Sequence, residues 1–171
     1  MTNEEYRRFD PGHEFAEGYE RHPVVGVTWR EAMDYAAFLG GFLPTETQWQ
    51  VVARGKESRK YPWGDSEPTC ERAQYRDCDP KGTIEVMARP AGATPEGIHE
   101  LAGNVWEWVV PNWYDPGKYP VNDESRRMRG GSFDDDVFFL RASNRSKDFF
   151  QGFKYASVGF RVAWPVEGGR D

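Results

Sequence analysis

The stretch GIHELAGNVWEWV, residues 97–109, decides how this chain is read. Its second half opens a strand-like run, 105–110, in which Trp106 and Trp108 alternate about Glu107. A strand repeats every two residues, so both indoles share one face and the carboxylate takes the other. Each large ring buries roughly 150–250 Å². Paired on one face, these two are read as core rather than as a platform for a ligand.

Upstream, two helices are marked by their caps. Thr28 and Glu31 form a T-x-x-E capping box, after which Trp29, Ala32, Met33, Ala36 and Leu39 recur at helical spacing until Gly40 and Gly41. Thr45 and Gln48 repeat the device, with Trp49, Val52 and Ala53 on one face and Gly55 as the stop. Between Tyr61 and Gly97 no period is sustained, which predicts long ordered loops with one short strand near 83–87. Loops of that length in a compact domain are usually functional or pinned. Downstream, 128–133 and 159–164 read as strands, and the charged tail after Trp164 as frayed. Neither a repeat nor a linker divides residues 1–171, so a single domain is expected.

Composition narrows the function. A chain of 171 residues buries about two-thirds of its unfolded surface. Its net charge of -6 argues against nucleic acid and anionic membranes, both of which need a basic face. No apolar run approaches the roughly 20 residues of a membrane span. The opening MTNEEYRRFD carries no apolar leader core, so the default location is cytoplasmic unless a leader has been removed. Seven Trp in a Gly- and Pro-rich chain predict a core of flat rings carried on loops and short strands. Cys70 and Cys78 are too few for a four-thiolate zinc site, and their spacing allows either a local disulfide or two free thiols.

The motifs HPVVGVTWREA (22–32), LPTETQWQ (43–50), YPWGD (61–65), GIHELAGNVWEWV (97–109), RGGSF (129–133) and GFRVA (159–163) stand in the order and rough spacing of a known family. Over nearly its whole length the chain resembles the formylglycine-generating-enzyme (sulfatase-modifying factor) family. The resemblance implies an α+β, C-type-lectin-like fold with two helices, short strands and much irregular loop. Members usually begin with a further segment of about 40 residues containing early strands. Its absence from this chain raises the question of what covers the sheet edge.

The family's aerobic enzymes carry a cysteine pair between RGGS and GFR. Here that stretch, 132–161, contains no cysteine, and Cys70 and Cys78 lie in a different loop. A thiolate mechanism therefore has no nucleophile where it is needed. A related sulfoxide-forming branch draws its iron-ligating histidines largely from an additional helical domain, which this chain lacks. His13, His22 and His99 are read as ordinary surface or loop histidines, and no G-x-S-x-G elbow is present. The expectation is a binding protein without a catalytic cofactor.

The resemblance also implies a structural calcium on 100–107, with side-chain oxygens from Glu100 and Glu107 and carbonyls from Gly103 and Val105. Glu100 departs from the shorter Asp or Asn usual there. The alternative for Glu107 is an ion pair with a buried arginine such as Arg129 or Arg161.

Residues 133–157 are unusually rich in Phe, Asp, Ser, Tyr and Asn. The pairs Phe138-Phe139 and Phe149-Phe150 cannot both point inward from extended backbone, so some rings should be exposed. Exposed aromatic patches beside polar groups mark binding surfaces. The repertoire resembles the variable region of proteins diversified by retroelements, which randomise asparagine-type codons within a fixed lectin-like frame. By that resemblance the ligand-binding positions are Phe133, Asp134, Asp135, Phe138, Phe139, Ser143, Asn144, Ser146, Asp148, Phe149, Phe150, Phe153, Tyr155 and Ser157. Leu140, Arg141, Ala142, Arg145, Gly152, Gly159 and Phe160 would be frame. The partner would be a protein or another macromolecule. Alanine at Phe149 or Phe150 is then expected to abolish binding with little effect on stability.

Overall fold

The computed structural model describes residues 1–111, 125–145 and 149–165. Both expected helices form where their caps place them. In α2 (Trp29–Phe38) the Thr28 hydroxyl accepts from the Glu31 N–H at 3.1 Å, and the Glu31 carboxylate accepts from the Thr28 N–H at 2.8 Å. In α3 (Glu46–Arg54) Thr45 and Gln48 exchange the equivalent bonds. The same box at Thr2 and Glu5 starts α1 (Asn3–Arg7), whose single turn is too short to show an amphipathic period.

A three-stranded sheet lies at the centre. β1 (Trp106–Trp108) runs antiparallel to β3 (Met128–Arg129) and parallel to β5 (Val158–Phe160). Opposite Glu107 in β5 stands Gly159, and it has to be glycine: a Cβ there would lie 2.5 Å from the Val24 carbonyl oxygen. A separate two-stranded ribbon joins β2 (Ser125–Arg126) to β4 (Phe149–Phe150). The result is α+β, with most of the chain in loops.

Trp106 and Trp108 are buried in the main core with Tyr6, Trp29, Tyr35 and Phe160, as their alternation requires. Burying an indole also buries its N–H, and each one here finds an acceptor. Trp29 donates to the Val109 carbonyl at 3.1 Å and Trp108 to the Val27 carbonyl at 3.1 Å. Trp106 donates to Asp135 at 2.8 Å, and Trp49 to Glu107 at 2.6 Å.

No strand forms at 83–87, contrary to expectation. The N–H and carbonyl of Ile84 bond instead to the side-chain amide of the buried Asn104, at 3.0 and 3.1 Å. An Asn amide thus replaces the neighbouring strand. Cys70 and Cys78 form a disulfide that closes their loop.

Candidate ligand-binding surface

The 133–157 segment is rooted on the β1 tryptophans. After Ser132 the chain turns through Asp135, whose Oδ2 accepts from the Ser132 N–H at 3.0 Å, the Ser132 hydroxyl at 2.5 Å and the Trp106 indole at 2.8 Å. Next comes a 3₁₀ turn, Val137–Leu140, capped by an Asp136 side chain that accepts from the Phe138 N–H at 2.9 Å. Because the turn is not extended, Phe138 and Phe139 diverge for a reason other than strand pleat. Phe139 reaches inward and meets Trp106 edge-on at 6.0 Å, while Phe138 is 53% exposed. Arg141 covers the outer Phe138 ring at 5.1 Å.

The second pair divides as strand geometry requires. In β4, Phe149 turns in against Tyr155 at 5.4 Å, and Tyr155 lies 6.1 Å from Trp108. Phe150 turns out and is 54% exposed. It meets the 60% exposed Phe153 at 5.7 Å across a turn closed by the Phe153 N–H and the Phe150 carbonyl. Phe150, Gln151, Gly152 and Phe153 line a cavity of about 380 Å³. The same loop seats itself on α2: the Trp29 N–H, otherwise an orphan of the helix start, donates to the Gln151 carbonyl at 3.1 Å. Lys154 reaches Glu31 at 2.8 Å. Neither tie has a sequence signal, because both join positions far apart in the chain.

The expected binding positions therefore separate. Phe150 and Phe153 form one exposed aromatic cluster, and Phe138 forms a second. Phe139, Phe149 and Tyr155 are half-buried struts beneath them. Asp135 is a brace of the frame, its carboxylate oxygen already bonded three times. Phe133 is turned elsewhere and lines a cavity of about 320 Å³ with His13, Phe15 and Tyr19. Asp134 and Ser143 are exposed, Asn144 and Ser157 half-buried, and Ser146 and Asp148 lie outside the described residues. Among the expected frame positions, Leu140, Ala142, Gly159 and Phe160 are buried, whereas Arg141, Arg145 and Gly152 are exposed.

Of the four groups expected to hold calcium, Glu107 has its carboxylate committed to other partners. Both Glu107 oxygens are engaged by Arg161, each at 2.6 Å, and Oε2 also accepts from Trp49. The Arg161 guanidinium further donates to the carbonyls of His99 and Glu100, at 3.0 and 3.3 Å. An arginine thus holds the positive position among these oxygens. Glu100, at φ 56°, borders a cavity of about 390 Å³, and burial pushes its carboxyl up to about 7. Gly103 holds a turn at φ 77° where a Cβ would strike the Gln74 carbonyl.

Comparison with known proteins places this geometry. Residues 2–166 match the model of the sulfatase-modifying factor enzyme 1-like domain. The serine/threonine-protein kinase pkn1 of Chlamydia caviae is 35% identical over 163 residues, covering 88% of this chain and 25% of the kinase. Hercynine oxygenase of Mycolicibacterium thermoresistibile is 34% identical over 165 residues, covering 85% of this chain and 36% of the oxygenase. Formylglycine-generating enzyme of Thermomonospora curvata is 34% identical over 138 residues, covering 66% and 45%. The chain thus spans a quarter to under half of these relatives. Among solved structures, variable protein 1 of Treponema denticola superposes with a TM-score of 0.75 at 19% identity, covering 95% of this chain and 81% of that one. That likeness is one of fold.

Proposed function

Because this chain belongs to the sulfatase-modifying factor enzyme 1-like family, and its 132–161 stretch lacks the cysteine pair that the family's aerobic enzymes carry, we propose that it binds rather than catalyses. It is a ligand-binding display domain, the variable protein of a diversity-generating retroelement, with its binding surface on 133–157. The observation that carries this reading is the division of each phenylalanine pair. One ring of each pair is anchored on a β1 tryptophan or its neighbour Tyr155, and the other stands in solvent. Rings held rigid from beneath lose little side-chain entropy on binding, which makes them good anchors for a protein or other macromolecular partner. The fold shared with a variable protein supports the same reading.

Sequencing the 3′ end of this gene across many cells of its source population tests the proposal without knowledge of the ligand. Substitutions gathered at Phe138, Phe150 and Phe153, with Trp106 and Asp135 unchanged, are expected. A uniform sequence would overturn the diversified reading.

Enzymatic relatives favour a second reading, a sulfatase-maturation or related oxidoreductase activity. Against it, the two cysteines of the chain are joined to each other. Formylglycine formation on a sulfatase-type Cys peptide with oxygen and copper would establish the enzyme instead.

A further inference from the structure

Beside the C-terminal end of α3 lies a cavity of about 370 Å³, bordered by Thr47, Gln50, Arg54, Gly55, Ser58 and Arg145. That volume falls within the roughly 300–1,000 Å³ of small-molecule sites. Among the described residues only Val51 joins them in the lining, and none of these carries a carboxylate.

The polar groups that do border it are rich in donors. The Gln50 carbonyl oxygen accepts from Arg129 at 3.0 Å, so its amide NH₂ is the end that remains. Arg54 Nε is buried and has no hydrogen-bond partner among the described residues. Such a group is costly unless an acceptor reaches it. Arg145 has a counter-charge, but a shared one. Glu46 Oε1 lies 3.5 Å from Arg145, 3.6 Å from Arg127 and 3.8 Å from Arg129. Among the described residues this one carboxylate is shared by three guanidinium groups.

The end of a helix normally repels anions through its free carbonyls. Here two of them are engaged by Arg59: the Val52 carbonyl accepts from its guanidinium at 3.1 Å, and the Arg54 carbonyl from its N–H at 2.8 Å.

We propose that this cavity binds an oxyanion, the phosphate or sulfate group of a small ligand. Guanidinium forks match such oxygens in geometry and charge, and the Ser58 hydroxyl and Gln50 amide add neutral donors. Of the described lining residues only Arg145 comes from 133–157, so the proposal does not rest on the display reading.

The test is an NMR titration that follows arginine Nε–H resonances with inorganic phosphate or with sulfate, against chloride at equal ionic strength. A saturable shift of the Arg54 Nε–H is expected with at least one oxyanion. Arg145→Gln should weaken that binding by about tenfold or more. In Arg54→Gln, which deletes the reporter, saturable stabilisation of the melting temperature by the same anion should disappear. The anion that saturates at lower concentration identifies the ester. A linear response of equal size in wild type and both variants would overturn the proposal, as would saturation unaffected by either substitution.

Discussion

Arg161 and Glu107 are joined by two parallel hydrogen bonds, Nη2 to Oε1 and Nε to Oε2, both 2.6 Å. Glu107 is 6% exposed and lies on the sheet face opposite the Trp106 and Trp108 rings. The pair ties the segment after β5 to the central strand, and Trp49 of α3 completes it from a third element. Removing one member leaves the other charge buried and alone, at a cost of about 3–5 kcal/mol. Arg161→Gln should therefore lower stability in urea unfolding by that order. A change below about 1 kcal/mol would show that water replaces the guanidinium.

The same pair governs the response to calcium. An ion on this loop would have to compete with a guanidinium already bonded to Glu107 and to two carbonyls. The melting temperature should be the same in EDTA and in millimolar calcium. A calcium-dependent rise that vanishes in Glu107→Gln would mean that the ion displaces Arg161.

Alanine substitutions should sort the phenylalanines. Phe149 is half-buried against Tyr155 and the main core, so Phe149→Ala should cost about 1–3 kcal/mol. Phe150 and Phe153 face solvent, and alanine at either should change stability by about 0.5 kcal/mol or less. The expectation that Phe149 and Phe150 are equally dispensable is thus corrected for Phe149. Melting temperatures of the single variants decide it, and equal losses at 149 and 150 would remove the distinction between strut and display.

The parts of this molecule legible in the sequence are those fixed by local chemistry. Capping boxes at Thr28 and Thr45 placed two helices, and alternation about Glu107 placed two tryptophans in the core. That Phe138-Phe139 and Phe149-Phe150 could not both be buried followed from the backbone alone, although the first pair divides on a 3₁₀ turn. What escaped was nonlocal. Nothing near Thr83–Met87 reveals that Asn104 will take the hydrogen bonds of Ile84. Asp135 looked like a polar neighbour for a ligand, and only the fold brings it to the Trp106 indole. The pairing of Glu107 with Arg161 rather than Arg129 needed the third dimension as well.

The tie between Glu31 and Lys154 makes a prediction about pH. Burial opposes ionisation of Glu31, but its bonds to Lys154 and Thr28 outweigh that and hold the carboxyl below its ordinary value. A carboxyl depressed in the folded state contributes stability above its unfolded pKa, near 4.3 for Glu, and loses it as pH falls through the lower folded value. Both side chains are partly exposed, at 37% and 57%, so the ion pair is screened and worth a few tenths of a kcal/mol. Glu31→Gln keeps a capping group and removes only the charge. Its stability deficit should be constant near neutrality and shrink toward zero as pH falls below about 4. The local effect should be clearer than the global one, because Lys154 holds the loop whose Gln151 carbonyl accepts from the Trp29 N–H. Hydrogen exchange at Trp29, corrected for its intrinsic pH dependence, should quicken in Glu31→Gln at neutral pH and match wild type in acid. Equal protection at all pH values would mean that the loop is held by Phe149 and Tyr155 packing alone.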